Sequence, residues 1–141
     1  MTLLDVNILL YAYNPNSQHH ERVRPWLERL LSSTAVAIPW VSLWGFIRVV
    51  TNPRLSTQAA HPEAALAVVR DLIALPNVHV IEPGPAHVRL LEEMIRDGQS
   101  SGSRTTDAVL AALAIENGAT LASTDKDFSR FPKLKWLNPL A

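Results

Sequence analysis

Short apolar runs alternate along this chain with longer stretches in which apolar residues recur every three or four positions. Leu3-Leu4 leads through Asp5-Val6-Asn7 into Ile8 to Tyr13, which reads as a strand followed by a helix. Val23, Trp26, Leu27, Leu30 and Leu31 then form one stripe of a helix whose other face holds Glu21, Arg24, Glu28 and Arg29. Pro25 falls near the expected start of that helix, where it marks or bends the first turn. Ala35 to Ile38 is the next strand, and Val41 to Val50 a helix closed by Asn52-Pro53. Leu66, Val69 and Ile73 predict a further helical stripe, Asn77 to Ile81 a strand, and Val88, Leu91 and Ile95 another helix. A polar segment from Gly98 to Thr106 opens the alanine-rich helix after Asp107, which Asn117-Gly118 closes before a last strand at Ala119 to Thr124. Strands separated by helices favour a parallel sheet covered on both faces, with right-handed crossovers that put the strand ends on one side.

Acids occupy those ends. Asp5 ends the first strand, Asp107 starts a helix, and Asp125 and Asp127 follow the last strand. Taken singly, Asp107 is an ordinary first-turn acid behind a threonine cap, and Asp125 an ordinary turn residue or the cap of a short helix around Phe128. Asp5 is different, because it is flanked by Leu3, Leu4, Val6 and Ile8. Burying an unpaired carboxylate costs several kcal/mol, or roughly that in forced protonation, so Asp5 needs a partner. A divalent cation would serve, and so would an arginine such as Arg48, Arg54 or Arg104.

Composition narrows the class. A chain of 141 residues with 48% hydrophobic and 18% charged residues is a globular domain of ordinary size, read as one unit over 1–141. Its formal net charge is zero, so a nucleic-acid partner must be met by a local arginine patch. Cysteine is absent, which excludes disulfides, thiolate nucleophiles and zinc ribbons and suits the cytoplasm. Asp5 inside the leading apolar stretch, with no basic lead, argues against a signal peptide. The most apolar region, Ala35 to Ile47, holds Pro39, Ser42 and Gly45 and is shorter than the ~20 residues of a membrane span, so it reads as core. The five histidines show no metal-ligand spacing, and glycine is too sparse for a phosphate-cradling loop.

Four segments in order, Leu4 to Tyr11, Phe46 to Arg54, Thr106 to Ala114 and Gly118 to Phe128, followed by Phe131 to Trp136, resemble the successive motifs of PIN-domain proteins. Among these the chain is most similar to the VapC toxins of bacterial toxin–antitoxin pairs. The resemblance implies an α/β sandwich of three layers, with a central, mainly parallel sheet covered by helices on both faces. It also implies a magnesium-dependent endoribonuclease, with manganese able to substitute, that leaves a 5′-phosphate and a 3′-hydroxyl. By the same resemblance Asp5, Asp107 and Asp125 are catalytic metal ligands, Asp127 is a further ligand, and Asn7 and Thr106 support them. A cognate antitoxin and a homodimer are the implied protein partners, the antitoxin laying a helix in an apolar groove and pushing a basic side chain into the acidic site.

One departure from the family pattern stands out. Many members carry a glutamate on the helix after the second strand, whereas Val41 to Arg48 contains no acid, which leaves the number of ions open. Glu116 does not substitute, because its spacing from Asp107 puts it roughly 180° around the helix. A catalytically inactive module that binds RNA or antitoxin is therefore the alternative. A phosphotransfer domain fits less well, since Asn7 stands where an aspartate-nucleophile phosphatase needs a second aspartate. Arg48, Arg54 and Arg104 are the RNA-contact candidates at the rim, with ion pairing to the aspartates an equal reading for Arg48. Trp40 and Trp44 either stack on bases or fill the core or a dimer interface.

Overall fold

The computed structural model describes residues 1–56 and 58–141. Five strands, β1 (Thr2–Leu4), β2 (Val36–Pro39), β3 (Val78–Ile81), β4 (Thr120–Ala122) and β5 (Trp136–Leu137), pair in the order β3-β2-β1-β4-β5, every pair parallel. Six helices accompany them: α1 (Val6–Ala12), α2 (His20–Ser33), α3 (Trp40–Val50), α4 (Pro62–Ile73), α5 (His87–Gly98) and α6 (Thr105–Glu116).

Side chains alternate across a strand, and here the alternation builds two cores. Leu4, Val36, Ile38 and Ala122 point to the face covered by Ile8 and Leu9 of α1, Val23 and Leu27 of α2, Leu43 and Phe46 of α3, and Val69 and Leu72 of α4. Leu3, Ala37 and Leu121 point to the other face, under Leu90 and Met94 of α5, the alanine-rich α6, Phe128 and Phe131. The expected three-layer arrangement with helices on both faces is therefore what the chain adopts. Helix α6 packs along α5 and over β4, which explains why it is apolar nearly all round, with Ala108 and Leu110 to Ala114 buried.

Two expected stripes are turned from their predicted faces. On α4 the core takes Ala65, Val69 and Leu72, while Leu66 and Ile73 are 45% and 40% exposed. On α5 it takes Leu90, Met94 and Gly98, with Leu91 and Ile95 half-buried at the flank and Val88 77% exposed. The expected stripes passed over the small Ala65 and Gly98, which let a neighbour come close, and with them the bulky Leu72, Leu90 and Met94 on the same faces. Helix α2 begins at His20, so Pro25 sits past its first turn and does not mark its start. Strand β5 is too short for a periodic signal and was not expected.

Gly98 shows how tight this packing is. Its backbone has ordinary φ, yet a Cβ there would collide with the Phe131 ring, which is 2% exposed and wedged beside Phe128. Gly98→Ala is expected to destabilise the protein by about 1–3 kcal/mol through overpacking, read as a lower urea midpoint with unchanged slope.

Candidate metal centre and active site

The strand order reverses at β1. From there the chain adds β2 and β3 on one side, then crosses back to place β4 and β5 on the other. A crevice opens at such a switch point beyond the carboxyl ends of the strands, and β1 and β4 are the two that flank it. Leu4 pairs with Ala122, and the Asp5 amide donates to the Ala122 carbonyl at 3.0 Å, so Asp5 and the Ser123-Thr124-Asp125 segment leave the sheet side by side.

Asp5 caps α1 and is 6% exposed. Its Oδ1 accepts from the Val6 amide at 2.6 Å and its Oδ2 from the Ser123 hydroxyl at 2.7 Å. The Ser123 Oγ in turn accepts from Asn7 Nδ2 and from the Asp125 amide, both at 3.1 Å, which uses the full capacity of the hydroxyl. Asn7 Oδ1 accepts from the Thr124 amide at 3.4 Å, tying α1 to the loop after β4. Asp125 caps the short 3-10 helix at Lys126–Arg130 through the Asp127 amide, as the turn reading anticipated.

Asp107 reaches the same edge from the first turn of α6. Asp107, Asp125 and Asp127 each present a carboxylate oxygen within 4.8 Å of the others. Asp5 lies outside that trio but beside it: Ser123 links it to Asp125, and the charges of Asp107 and Asp125 both act on its carboxyl. Burial is the largest cause that pushes the Asp5 pKa up to about 6, with the Ser123 and Val6 hydrogen bonds pulling it down and the two acids adding repulsion. Asp107 is raised as well, first by burial, then by Asp125, against which Arg130 acts.

Arg130 is the cation that sequence reasoning missed. Its Nη2 lies 3.6 Å from Asp107 Oδ2, and neither Nη atom has a hydrogen-bond partner among the described residues. Nothing in its spacing marked it, since its position depends on the 3-10 turn after Asp125. Ser123 was missed as a site residue too, its one signal being a hydroxyl two residues before Asp125. Arg48 and Arg54 are exposed and form no ion pair among the described residues, so the expected pairing of Arg48 with an aspartate does not occur. Arg104 is exposed at the start of α6, near enough for its charge to act on Asp107. Thr106 is exposed, and no hydrogen bond holds it to the acids among the described residues. Glu116 is engaged elsewhere, accepting from the Gly84 and Ala86 amides. Trp40 and Trp44 are surface residues, which corrects the expectation that they fill the core.

The donor set suits a hard divalent cation. Magnesium and manganese prefer carboxylate oxygens, and here four carboxylates face two guanidinium groups, Arg104 and Arg130, leaving an excess of negative charge. Ser123→Ala would strip a donor from the buried Asp5 carboxylate. It is expected to cost about 1–3 kcal/mol and to raise the Asp5 pKa further, which urea titration across pH will show.

Comparison with known proteins identifies the family of the chain. Residues 2–134 match the PIN domain family. Ribonuclease VapC43 of Mycobacterium tuberculosis is 39% identical over 141 residues, covering 99% of this chain and 96% of the relative. Ribonuclease VapC37 of the same species is 37% identical, covering 100% of this chain and 99% of that protein. The fold is shared with the VapBC2 complex of Rickettsia felis bound to a promoter DNA fragment, at a TM-score of 0.70, 22% identity and 97% coverage of each chain. It is shared also with M. tuberculosis VapC20, a sarcin-ricin loop cleaving toxin, at a TM-score of 0.66, 19% identity, and 92% and 93% coverage. With the acids of its ordered motifs gathered at one sheet edge and its whole length matched by VapC relatives, this chain belongs to the PIN domain family.

Proposed function

We propose that this chain, acting as one domain over 1–141, is a metal-dependent endoribonuclease and the toxin of a toxin–antitoxin pair. The observation that carries the reading is the convergence of Asp107, Asp125 and Asp127 beside the buried Asp5 at the switch point of the sheet. These four acids would hold magnesium or manganese. Such an ion, when bound, polarises a phosphodiester oxygen and makes water a better nucleophile.

The residues of the chain supply the rest. Asp5 and Asp125 are held in fixed relation by the Ser123 hydroxyl and the two Asn7 contacts, so the carboxylates are positioned before substrate arrives. Ser123 is fully buried and donates to Asp5, so it is no candidate nucleophile, and hydrolysis proceeds by direct attack of water. With water as the nucleophile and the 3′ oxygen as the proposed leaving group, the P–O3′ bond breaks and the products are a 5′-phosphate and a 3′-hydroxyl. Arg104, exposed and close enough for its charge to act on Asp107, and the exposed Arg54 would meet backbone phosphates.

An antitoxin is the proposed protein partner, supported by the VapBC complexes among proteins of this fold, and it would present a cation to the acidic cluster. A homodimer in the cytoplasm is the proposed setting; no helix among the described residues is long and apolar enough to cross a membrane. The inactive-module reading has one observation in its favour: helix α3 brings Gly45, not an acid, against Val6 next to Asp5.

Incubating the protein with total RNA decides between them. Cleavage with magnesium or manganese, abolished by EDTA and leaving 5′-phosphates, is expected. Binding without cleavage selects the inactive module, and EDTA-resistant cleavage to cyclic phosphates overturns the metal reading.

A further inference from the structure

The 3-10 turn at Lys126–Arg130 has an acid near one end and a cation at the other. Side chains three apart eclipse on such a turn, so Arg130 falls on the side of Asp127, and its Nε donates to the Asp127 main-chain carbonyl at 3.1 Å. The guanidinium also lies over the Phe131 ring, 5.7 Å from its centroid, and that ring is wedged against Phe128 and Gly98. These contacts fasten the near half of the group. The tip is held differently: Nη2 stands 3.6 Å from Asp107 Oδ2, too far for a hydrogen bond, and both Nη atoms are buried without a hydrogen-bond partner among the described residues. Charge alone aims them at the acids. Of the two arginines whose charge acts on Asp107, Arg130 acts more strongly, and Arg104 is exposed.

We propose that Arg130 is a resident counter-cation of the acidic site, against which a divalent ion must compete, so that this one side chain sets the ion concentration at which the site fills. This rests on the reading of the four acids as a metal centre and adds what tunes it. Asp107, Asp125 and Asp127 bring carboxylate oxygens within 4.8 Å of one another, and like charges gathered so closely need positive charge among them. Arg130 supplies part of it from inside the chain, which lets the metal-free fold bring the acids together. A divalent ion among the same oxygens meets that guanidinium as like charge in a partly buried setting, where screening is weak. No hydrogen bond of the Nη atoms has to break for the tip to turn away, so displacement costs only the attraction to the acids. Arginine keeps its charge at any working pH, so the competition is permanent.

The test titrates manganese into the EDTA-stripped full chain by calorimetry and follows thermal unfolding of the same samples with and without the ion. Arg130→Gln, which removes the charge and keeps a polar side chain, is expected to bind manganese about 5- to 100-fold more tightly than wild type. Arg130→Lys, with the charge kept, should stay near wild type, and Arg104→Gln should change affinity less than Arg130→Gln. Metal-free Arg130→Gln should unfold at a lower temperature than wild type and gain more from manganese, since stabilisation by a ligand grows with its affinity. Arg130→Met, which keeps an apolar stem on the Phe131 ring, takes its place if glutamine unfolds the chain. Equal or weaker manganese binding in the uncharged variant overturns the proposal, weaker binding assigning Arg130 to the alignment of Asp107 instead. Such a result with saturable binding in wild type leaves the metal centre standing, whereas flat titrations in both proteins overturn the two together. A wild type that shows the manganese contrast yet cleaves no RNA loses the ribonuclease reading and keeps the counter-cation.

Discussion

Asp107→Asn is expected to slow RNA hydrolysis on the order of 10³-fold, since charge stabilisation by a site-bound ion is worth several kcal/mol and each ~1.4 kcal/mol is tenfold in rate. The residue is chosen because it reaches the acidic trio from α6, independently of the β1 and β4 ends that hold the other acids. Asparagine keeps the shape and removes the charge. The fold is expected to lose some stability with it: the Arg130 Nη atoms are buried and Asp107 lies 3.6 Å from them, so neutralising the carboxylate leaves that guanidinium less compensated, at a cost of about 1–3 kcal/mol. Initial rates on RNA at saturating magnesium, with thermal unfolding of the same samples, separate lost chemistry from lost structure. A variant that remains folded and cleaves within tenfold of wild type removes Asp107 from the site.

Asp5→Asn is expected to do two opposite things, abolishing cleavage and stabilising the metal-free protein at neutral pH. The sign follows from the raised pKa. An unfolded aspartate loses its proton near ~3.9, the folded one near 6. Between those values the folded state holds a proton that the unfolded chain has released, so stability falls as pH rises and stays reduced above pH 6. The gap corresponds to roughly 3 kcal/mol. Asparagine removes that penalty but cannot accept the Ser123 hydroxyl through its amide nitrogen, which returns about 1 kcal/mol. The net gain, about 2 kcal/mol, should raise Tm by roughly 5–10 °C at pH 8 in EDTA and vanish at pH 4. Adding magnesium should reverse the ranking, because the cation stabilises only the protein whose carboxylates are complete. A pH-independent Tm difference would show that Asp5 does not carry the charge assigned to it.

What the sequence revealed and what it hid divide along a physical line. The junctions carrying Asp5, Asp107 and Asp125 were legible because each sits where periodicity changes, and right-handed crossovers bring such junctions to one edge. The alternation of Leu3 and Leu4 across the sheet was implicit in a run buried on both faces. Hidden were the features set by approach distance. Ala65 and Gly98 face the cores because they let a neighbour come close, which a count of bulky residues overlooks. Ser123 and Arg130 enter the site through geometry created by β4 and the 3-10 turn, and no spacing rule encodes that. For Trp40 and Trp44 the sequence left base stacking, core and dimer interface open; the core reading fails because the inner side of α3 is taken by Ser42, Leu43 and Phe46.

Everything returns to whether these acids bind a cation together. Calorimetric titration of manganese into EDTA-stripped protein at pH 7.5 measures this directly. Saturable binding to wild type that weakens at least tenfold in Asp107→Asn and in Asp5→Asn is the predicted result. A flat titration, or one that both variants reproduce, would contradict the account.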